Sequence, residues 1–202
     1  MNDYQKNVES LNKMFDRLNE RYFGGILERP TITIQVDKRA YGYFTVSKVW
    51  TGAKDSQTHE INVAPNYKRN KYDLVGTLLH EMVHLYATMQ GVKDSSRQGR
   101  YHNRTFEKLA SERGLIVDYG GDVIGWGITR PNDKLIEFID STKIEFRNCF
   151  RYVEEKERKE PKPRQKKYKF KCPTCELVVE TTAEATAVQL ECTLCHQLLR
   201  LM

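Results

Sequence analysis

The sequence predicts an α+β domain followed by a small cysteine-rich unit. Three observations support this fold class: one helix-periodic stretch at the N-terminus, several short β-branched stretches after it, and two Cys-x-x-Cys pairs near the C-terminus. Helices and strands in separate runs are typical of an α+β domain. A chain of 202 residues suits one domain of good size with one small appendage.

The first predicted element is a helix over residues 4–23. Apolar side chains recur in it at helical spacing, and a glycine pair follows as a stop signal. Three strands rich in β-branched and aromatic residues are expected next, in TITIQV (Thr31–Val36), YFTVSKVW (Tyr43–Trp50) and HEINVA (His59–Ala64). Turn residues between the last two indicate a hairpin, so we expect a short antiparallel sheet. HEINVA is our candidate for the sheet edge that binds a substrate chain as an extra strand.

The next predicted element is the helix LVGTLLHEMVHLYATM, Leu74–Met89. On a helical wheel His80 and His84 lie about 40° apart, and Glu81 lies about 100° from His80. The apolar residues of this helix occupy the opposite side. The two imidazoles therefore share one face, one turn apart, where both can reach a single metal ion.

This spacing is the His-Glu-x-x-His pattern of zinc hydrolases. Two histidines bind the zinc ion, and the glutamate, here Glu81, is the general base on a zinc-bound water. The carboxylate takes a proton from that water and passes it to the leaving amine. The alternative is a chance match with two partly exposed histidines. The position of both histidines on one face, on the polar side of a strongly predicted helix, argues against this alternative.

A catalytic zinc ion needs a third protein ligand, and His102 is the candidate. It precedes NRTFEKLA at the start of a second predicted helix, residues 102–113. Glu107 and Glu112 are the alternative ligands. The metzincin spacing is absent, because Gln90 stands six residues after His84. Tyr86, Tyr101 and Tyr119 are candidates to stabilise an oxyanion, but none of them is assigned this role.

Two further segments complete the first 150 residues. GLIVDYGGDVIGWGITRP, from Gly114 to Pro131, is broken by glycines and is predicted to be extended. Residues 133–150 are predicted to form a last helix or strand.

The C-terminal part carries two cysteine pairs, Cys172–Cys175 and Cys192–Cys195, with 16 residues between the pairs. This spacing predicts a zinc site of four thiolates. Such a site leaves no position for water, so the ion is structural, and it supplies the folding energy of a small β-ribbon. A redox role for the pairs and ligation by His196 are the alternatives.

The net charge of +6 lies in one stretch. Residues 151–171 hold 10 Lys or Arg and 4 Glu, and in the rest of the chain the numbers of basic and acidic residues are equal. We therefore divide the chain into a domain at 1–150, a basic linker at 151–169 and a ribbon at 170–202. Linker cations bind phosphates, and Tyr168 and Phe170 are candidates to stack on bases, so DNA is the expected partner. A merely soluble tether and a protein-binding segment are the alternatives.

LLHEMVHLYATMQG and RYHNRTFEKLASERG, followed by the basic linker and the four cysteines, resemble the SprT-like metallopeptidases. The resemblance implies a minimal zincin domain, with an N-terminal helix, a short sheet, the His-Glu-x-x-His helix and a third-ligand helix, followed by a zinc ribbon. Carried over by position, His80, His84 and His102 are zinc ligands and Glu81 is the general base. The family usually has glycine directly after its third histidine, where this chain has Asn103.

The resemblance also implies a zinc-dependent endopeptidase that cleaves proteins associated with DNA or crosslinked to it. Two alternatives remain: a DNA- or protein-binding module on a zincin scaffold that no longer cuts, and a regulatory peptidase that cleaves one dedicated partner without DNA. No apolar run reaches the roughly 18 residues of a membrane span, and the N-terminus does not have the pattern of a signal peptide. We therefore expect a cytoplasmic protein without a membrane anchor.

Overall fold

The computed structural model describes residues 1–65, 69–147, 167–182 and 189–202. By its internal contacts the chain divides into two units, Met1–Val153 and Glu154–Met202. The predicted basic linker at 151–169 lies, apart from its last three residues, outside the described residues. No helix in the described part of the chain is long and apolar enough to cross a membrane.

Four α-helices and nine short strands lie within the described residues of the first unit. The helices are α1 (Asp3–Phe23), α2 (Lys71–Met89), α3 (Arg104–Ser111) and α4 (Asp133–Ser141). The strands are β1 (Thr31–Thr33), β2 (Gly42–Phe44), β3 (Trp50–Thr51), β4 (Gln57–Thr58), β5 (Glu60–Val63), β6 (Ser95–Ser96), β7 (Tyr101–His102), β8 (Leu115–Asp118) and β9 (Ile128–Pro131). This composition confirms the predicted α+β class.

Both long helices begin with reciprocal side-chain caps. At α2, Asn70 Oδ1 accepts a hydrogen bond from the backbone nitrogen of Asp73 at 2.9 Å, and Asp73 Oδ2 accepts one from the backbone nitrogen of Asn70 at 3.3 Å. These bonds satisfy donors that the first helical turn leaves free. α1 ends at Gly24, whose φ of +64° is left-handed backbone that glycine adopts without a Cβ clash. The predicted bounds of α1 are confirmed to within one residue.

The main sheet has the strand order β1-β5-β2. β1 pairs with β5 in parallel, and β2 pairs with β5 antiparallel, so the expected purely antiparallel sheet is wrong. HEINVA is also not the edge, because β5 is the central strand. Its four residues are all buried, with Ile61 on one face and Asn62 on the other. A strand buried on both faces belongs inside a sheet, and the edge beside α2 is β2.

The strand predicted over residues 43–50 is divided between β2 and β3. β2 ends where the hydroxyl of Thr45, rather than a backbone carbonyl, accepts the hydrogen bond from the backbone nitrogen of Glu60, at 2.8 Å. The predicted hairpin is present between β3 and β4, where Trp50 pairs with Thr58. A side-chain hydroxyl thus replaces a backbone carbonyl as the acceptor, and β2 ends at this point.

The core of the first unit surrounds α2. Six of its apolar side chains have no exposed surface: Val75, Leu78, Leu79, Met82, Val83 and Leu85. They pack in one cluster with apolar side chains of α1, such as Phe15, and of β5, such as Ile61. Burial of each such side chain is worth about 1.5–3 kcal/mol. α2 is therefore fixed in position by its apolar side.

The second unit is built from short strands in the parts that the structure describes. They are β10 (Tyr168–Lys171), β11 (Val178–Thr181), β12 (Glu191–Cys192), β13 (Gln197–Leu198) and β14 (Arg200–Leu201). β10 lies between β11 and β14 in an antiparallel sheet, and β12 pairs with β13. Its buried cluster consists of Phe170, Cys172, Cys192 and Leu199. Two of these four side chains are thiols, so this unit has little apolar core.

Candidate metal centre

Three imidazole rings meet at one point in the first unit. His80, His84 and His102 each offer a ring nitrogen, and these atoms all lie within 4.8 Å of one another. Nε2 of His102 lies 3.1 Å from Nε2 of His80 and 3.1 Å from Nε2 of His84. Nitrogens bound to one tetrahedral zinc ion at about 2.0–2.1 Å are about 3.3 Å apart, so this spacing suits a single ion.

Two of these histidines come from a helix and the third from a strand. His80 and His84 lie one turn apart on α2, as the helical wheel predicts. His102 lies on β7, which pairs with β6. The expectation that His102 opens the following helix is wrong, because Asn103 caps that helix. The backbone of Asn103 is extended, and α3 begins at Arg104.

The outer nitrogen of each ring contacts a hydrogen-bond acceptor. Nδ1 of His80 lies 2.9 Å from the hydroxyl oxygen of Thr129. Nδ1 of His84 lies 2.7 Å from Oδ2 of Asp94, and Nδ1 of His102 lies 3.2 Å from the carbonyl oxygen of Ile124. A carbonyl and a carboxylate only accept, so Nδ1 of His84 and His102 carries the proton and Nε2 presents a lone pair.

The three rings form a donor set that fits a cation. Burial lowers the pKa of His102 to about 4, and burial also lowers the pKa of His80 well below its ordinary value. The rings of His80 and His102 are therefore neutral, and the inward nitrogen atoms of all three rings approach one another closely. Neutral imidazole nitrogens are preferred ligands of zinc, and acceptors behind them are typical of metal-binding histidines.

Phe106 lies against all three rings. Its ring centroid is 4.6 Å from that of His80, 4.8 Å from that of His84 and 4.6 Å from that of His102. The side chain is fully buried. Phe106 thus limits how far each imidazole can rotate.

Glycines allow the segment between β8 and β9 to approach the third histidine. The backbone nitrogen of Trp126 donates to the carbonyl of His102 at 3.0 Å. A Cβ atom at Gly127 would lie 2.7 Å from Nδ1 of His102, and one at Gly125 would lie 2.2 Å from its carbonyl oxygen. Both distances are too short for any side chain, so only glycine permits this contact.

Glu81 lies beside the histidines with its carboxylate against the sheet. The residue is 5% exposed, and a Cβ atom at Gly42 would lie 3.2 Å from its Oε1. Burial raises the pKa of Glu81 to about 7, with an opposing effect of His84 and a further upward effect of Asp94. The carboxylate therefore borders both the imidazole pair on α2 and the edge strand β2.

Other candidates from the sequence lie elsewhere. Glu107 pairs with Arg104 at 2.8 Å and Glu112 pairs with Arg113 at 3.6 Å, and neither belongs to the histidine group. Tyr119 donates to a carboxylate oxygen of Asp122 at 2.7 Å. Tyr86 packs against the guanidinium of Arg113, and Tyr101 packs against that of Arg97.

Sequence reasoning missed the residues behind the histidines. Asp94 and Thr129 lie in segments without a local pattern that would connect them to α2. Gly125 and Gly127 belong to YGGDVIGWG, whose four glycines in nine residues were a usable signal. Such a density of glycine indicates that backbone approaches another group closely.

A family model for the SprT-like family matches residues 11–117. The chain belongs to the SprT-like family. The match begins within α1, ends within β8 and includes all three histidines and Glu81, whereas the cysteine-rich unit of this SprT-like chain lies beyond it. A comparison with curated proteins returned no match, and a comparison with solved structures returned none.

The second candidate centre in this SprT-like chain consists of the four cysteines. Their sulfur atoms all lie within 4.8 Å of one another, with Cys175 and Cys192 3.6 Å apart. Backbone N–H groups of Cys175 and Thr174 lower the pKa of Cys172 to about 7. His196 lies 3.5 Å from Glu191 and is not part of this group. Four converging sulfur atoms fit one tetrahedral zinc ion with no open position.

We expect Gly127→Ala to lower the zinc affinity of the three-histidine site about 10- to 100-fold, because the new methyl group displaces the ring of His102. Competition with a chromophoric chelator measures the affinity. Gly52→Ala is the control, because Gly52 has a φ of −98°, lies between β3 and β4, and a Cβ atom there would closely approach only the rotatable hydroxyl of Ser56. Equal affinities in the two variants would contradict the proposed contact.

We also expect the purified chain to carry two zinc ions, of which one is removed much more readily by a chelator. The three-histidine site leaves a coordination position for an attacking ligand, and the four-cysteine site does not. Elemental analysis before and after timed chelation measures both. A stoichiometry of one ion would show that one of the two sites has been misidentified.

Proposed function

We propose that this SprT-like chain is a zinc-dependent endopeptidase. The observation that supports it most strongly is the convergence of three imidazole nitrogens beside a buried glutamate. His80, His84 and His102 would hold the ion, and the contacts behind them keep their lone pairs directed inward. Zinc in such a site supplies an activated water molecule and polarises the carbonyl that is cleaved.

Glu81 is the proposed general base. Its carboxylate lies next to the imidazole pair without belonging to the ligand group, so it remains available to accept a proton. A carboxylate in this position takes a proton from the attacking water and delivers it to the leaving amine. The packing of Glu81 against Gly42 holds its side chain in place for both steps.

The edge strand β2 is the proposed binding surface for the substrate chain. It has a partner on one side only, β5, among the described residues. An extended peptide that adds to the free side would pass Glu81, which contacts Gly42 of this strand. Exposed apolar side chains nearby, Tyr41, Val46 and Trp50, provide contacts for substrate side chains. Binding of an extended segment suits cleavage within a chain.

We further propose that the substrates are proteins associated with DNA or crosslinked to it, and that the linker and ribbon bind the DNA. The support is the excess of 10 basic over 4 acidic residues at 151–171. In the ribbon, Lys169 pairs with Glu180 at 3.0 Å and Lys171 pairs with Glu176 at 2.8 Å. Phe170 is 4% exposed and is therefore not a stacking surface. The main phosphate-binding charge is thus assigned to the linker.

Replacement of the base tests the enzymatic proposal. We expect Glu81→Gln to lower the rate of peptide-bond cleavage at least about 10²-fold, because the amide does not accept the proton. Cleavage of an unfolded protein is followed by gel electrophoresis, and zinc content is measured in parallel. The exposed Glu112→Gln is the matched control. Full biological activity in Glu81→Gln would favour a binding module without catalysis.

DNA dependence tests the proposed substrate class. We expect single-stranded DNA to stimulate cleavage and DNA affinity to fall by about 10³-fold between about 50 and 200 mM salt, as counterions return to the phosphates. Deletion of residues 151–202 should abolish binding in a fluorescence anisotropy assay. Salt-independent binding, or binding by the truncated chain, would contradict the linker assignment. Cleavage without DNA stimulation would favour a peptidase with a dedicated partner.

A further inference from the structure

Asp94 is a buried carboxylate that contacts one of the histidines. The residue is 7% exposed, and its Oδ2 lies 2.7 Å from Nδ1 of His84. Burying a carboxylate is unfavourable unless it is hydrogen-bonded. The contact with His84 is therefore a specific feature of the site.

Asn103 holds the segment that carries Asp94. Its side-chain amide donates to the carbonyl of Lys93 at 2.9 Å, and its backbone nitrogen donates to the carbonyl of Asp94 at 3.0 Å. Its Oδ1 accepts from the backbone nitrogens of Thr105, at 2.8 Å, and Phe106, at 3.2 Å. One asparagine thus joins the Asp94 segment to the cap of α3, directly after His102.

The short antiparallel strands β6 and β7 also connect the Asp94 segment to His102. Ser95, next to Asp94, pairs with His102 across the two strands. The carboxylate behind the second histidine and the third histidine itself are therefore carried by neighbouring positions of one hairpin. A shift of this hairpin moves both of them with respect to α2.

We propose that Asp94 is a positioning residue for His84, and that Asn103 sets the position of Asp94. The carboxylate fixes the imidazole with its proton on Nδ1 and its lone pair directed at the metal position. This inference rests on the proposed zinc site and assigns the role to residues outside the ligand set.

A metal-binding measurement tests the proposal in the full-length, zinc-loaded chain. Chelator competition gives the affinity of the three-histidine site, with the four-cysteine site as an internal reference. The visible spectrum of cobalt(II) in the first site reports ligand geometry. The variants are Asp94→Asn, Asp94→Ala and Asn103→Asp, and Asp16→Asn is the matched control because Asp16, on α1, pairs with Arg29.

We expect Asp94→Ala to weaken zinc binding about 10- to 100-fold and Asp94→Asn to weaken it less, since the amide oxygen still accepts from Nδ1. Asn103→Asp keeps the cap of α3 but loses the donor to Lys93, so we expect weaker binding and an altered cobalt spectrum. Asp16→Asn should match the unsubstituted chain in both measurements.

The outcomes separate positioning from general stabilisation. Thermal unfolding of the metal-free variants measures the structural effect alone. Unchanged zinc affinity and an unchanged cobalt spectrum in Asp94→Asn and Asp94→Ala would overturn the proposal, whatever the change in melting temperature. If the unsubstituted chain does not bind zinc at the three histidines, the proposed function itself fails, so the two failures are distinguishable.

Discussion

The first unit depends on the approach of the inward nitrogens of three imidazoles to within a few ångströms of one another. Their inward nitrogens carry lone pairs, so without a cation they gain no favourable electrostatic contact from this proximity. The surrounding protein keeps them there: Asp94 and Ile124 accept from the outer nitrogens of His84 and His102, and Phe106 contacts all three rings. A site that is held together before a metal binds loses little conformational entropy on binding it.

α2 connects this site to the rest of the unit. Its apolar side is locked into the core against α1 and β5, and its other side carries both histidines and Glu81. The same helix lies against β2, where Gly42 leaves room for the Glu81 carboxylate. Because one rigid helix bears His80, Glu81 and His84 and also contacts the sheet, the relative positions of these three side chains do not depend on a mobile loop. The edge of the sheet is thereby placed beside the reactive groups.

The two candidate metal centres differ in whether they leave a coordination position open for a further ligand. Four sulfur atoms fit a closed tetrahedral site, and the described part of the second unit buries few apolar side chains with which to fold without a metal. Three imidazoles leave one coordination position open, where the proposed chemistry would take place. The ribbon's lysines pair with its own glutamates, so its described surface has little free positive charge. The proposed division of roles between folding, catalysis and phosphate binding rests on these differences.

The sequence by itself determined the α+β class, the shared face of His80 and His84, and the cysteine cluster, because helical period and ligand spacing are local properties. Only the tertiary structure showed that β5 is central, that His102 lies on a strand, and that Asp94 lies behind His84. These facts depend on contacts between segments that are distant in the chain, where local propensity carries no information. The same holds for Gly127, since only the folded chain brings its backbone within reach of the ring of His102.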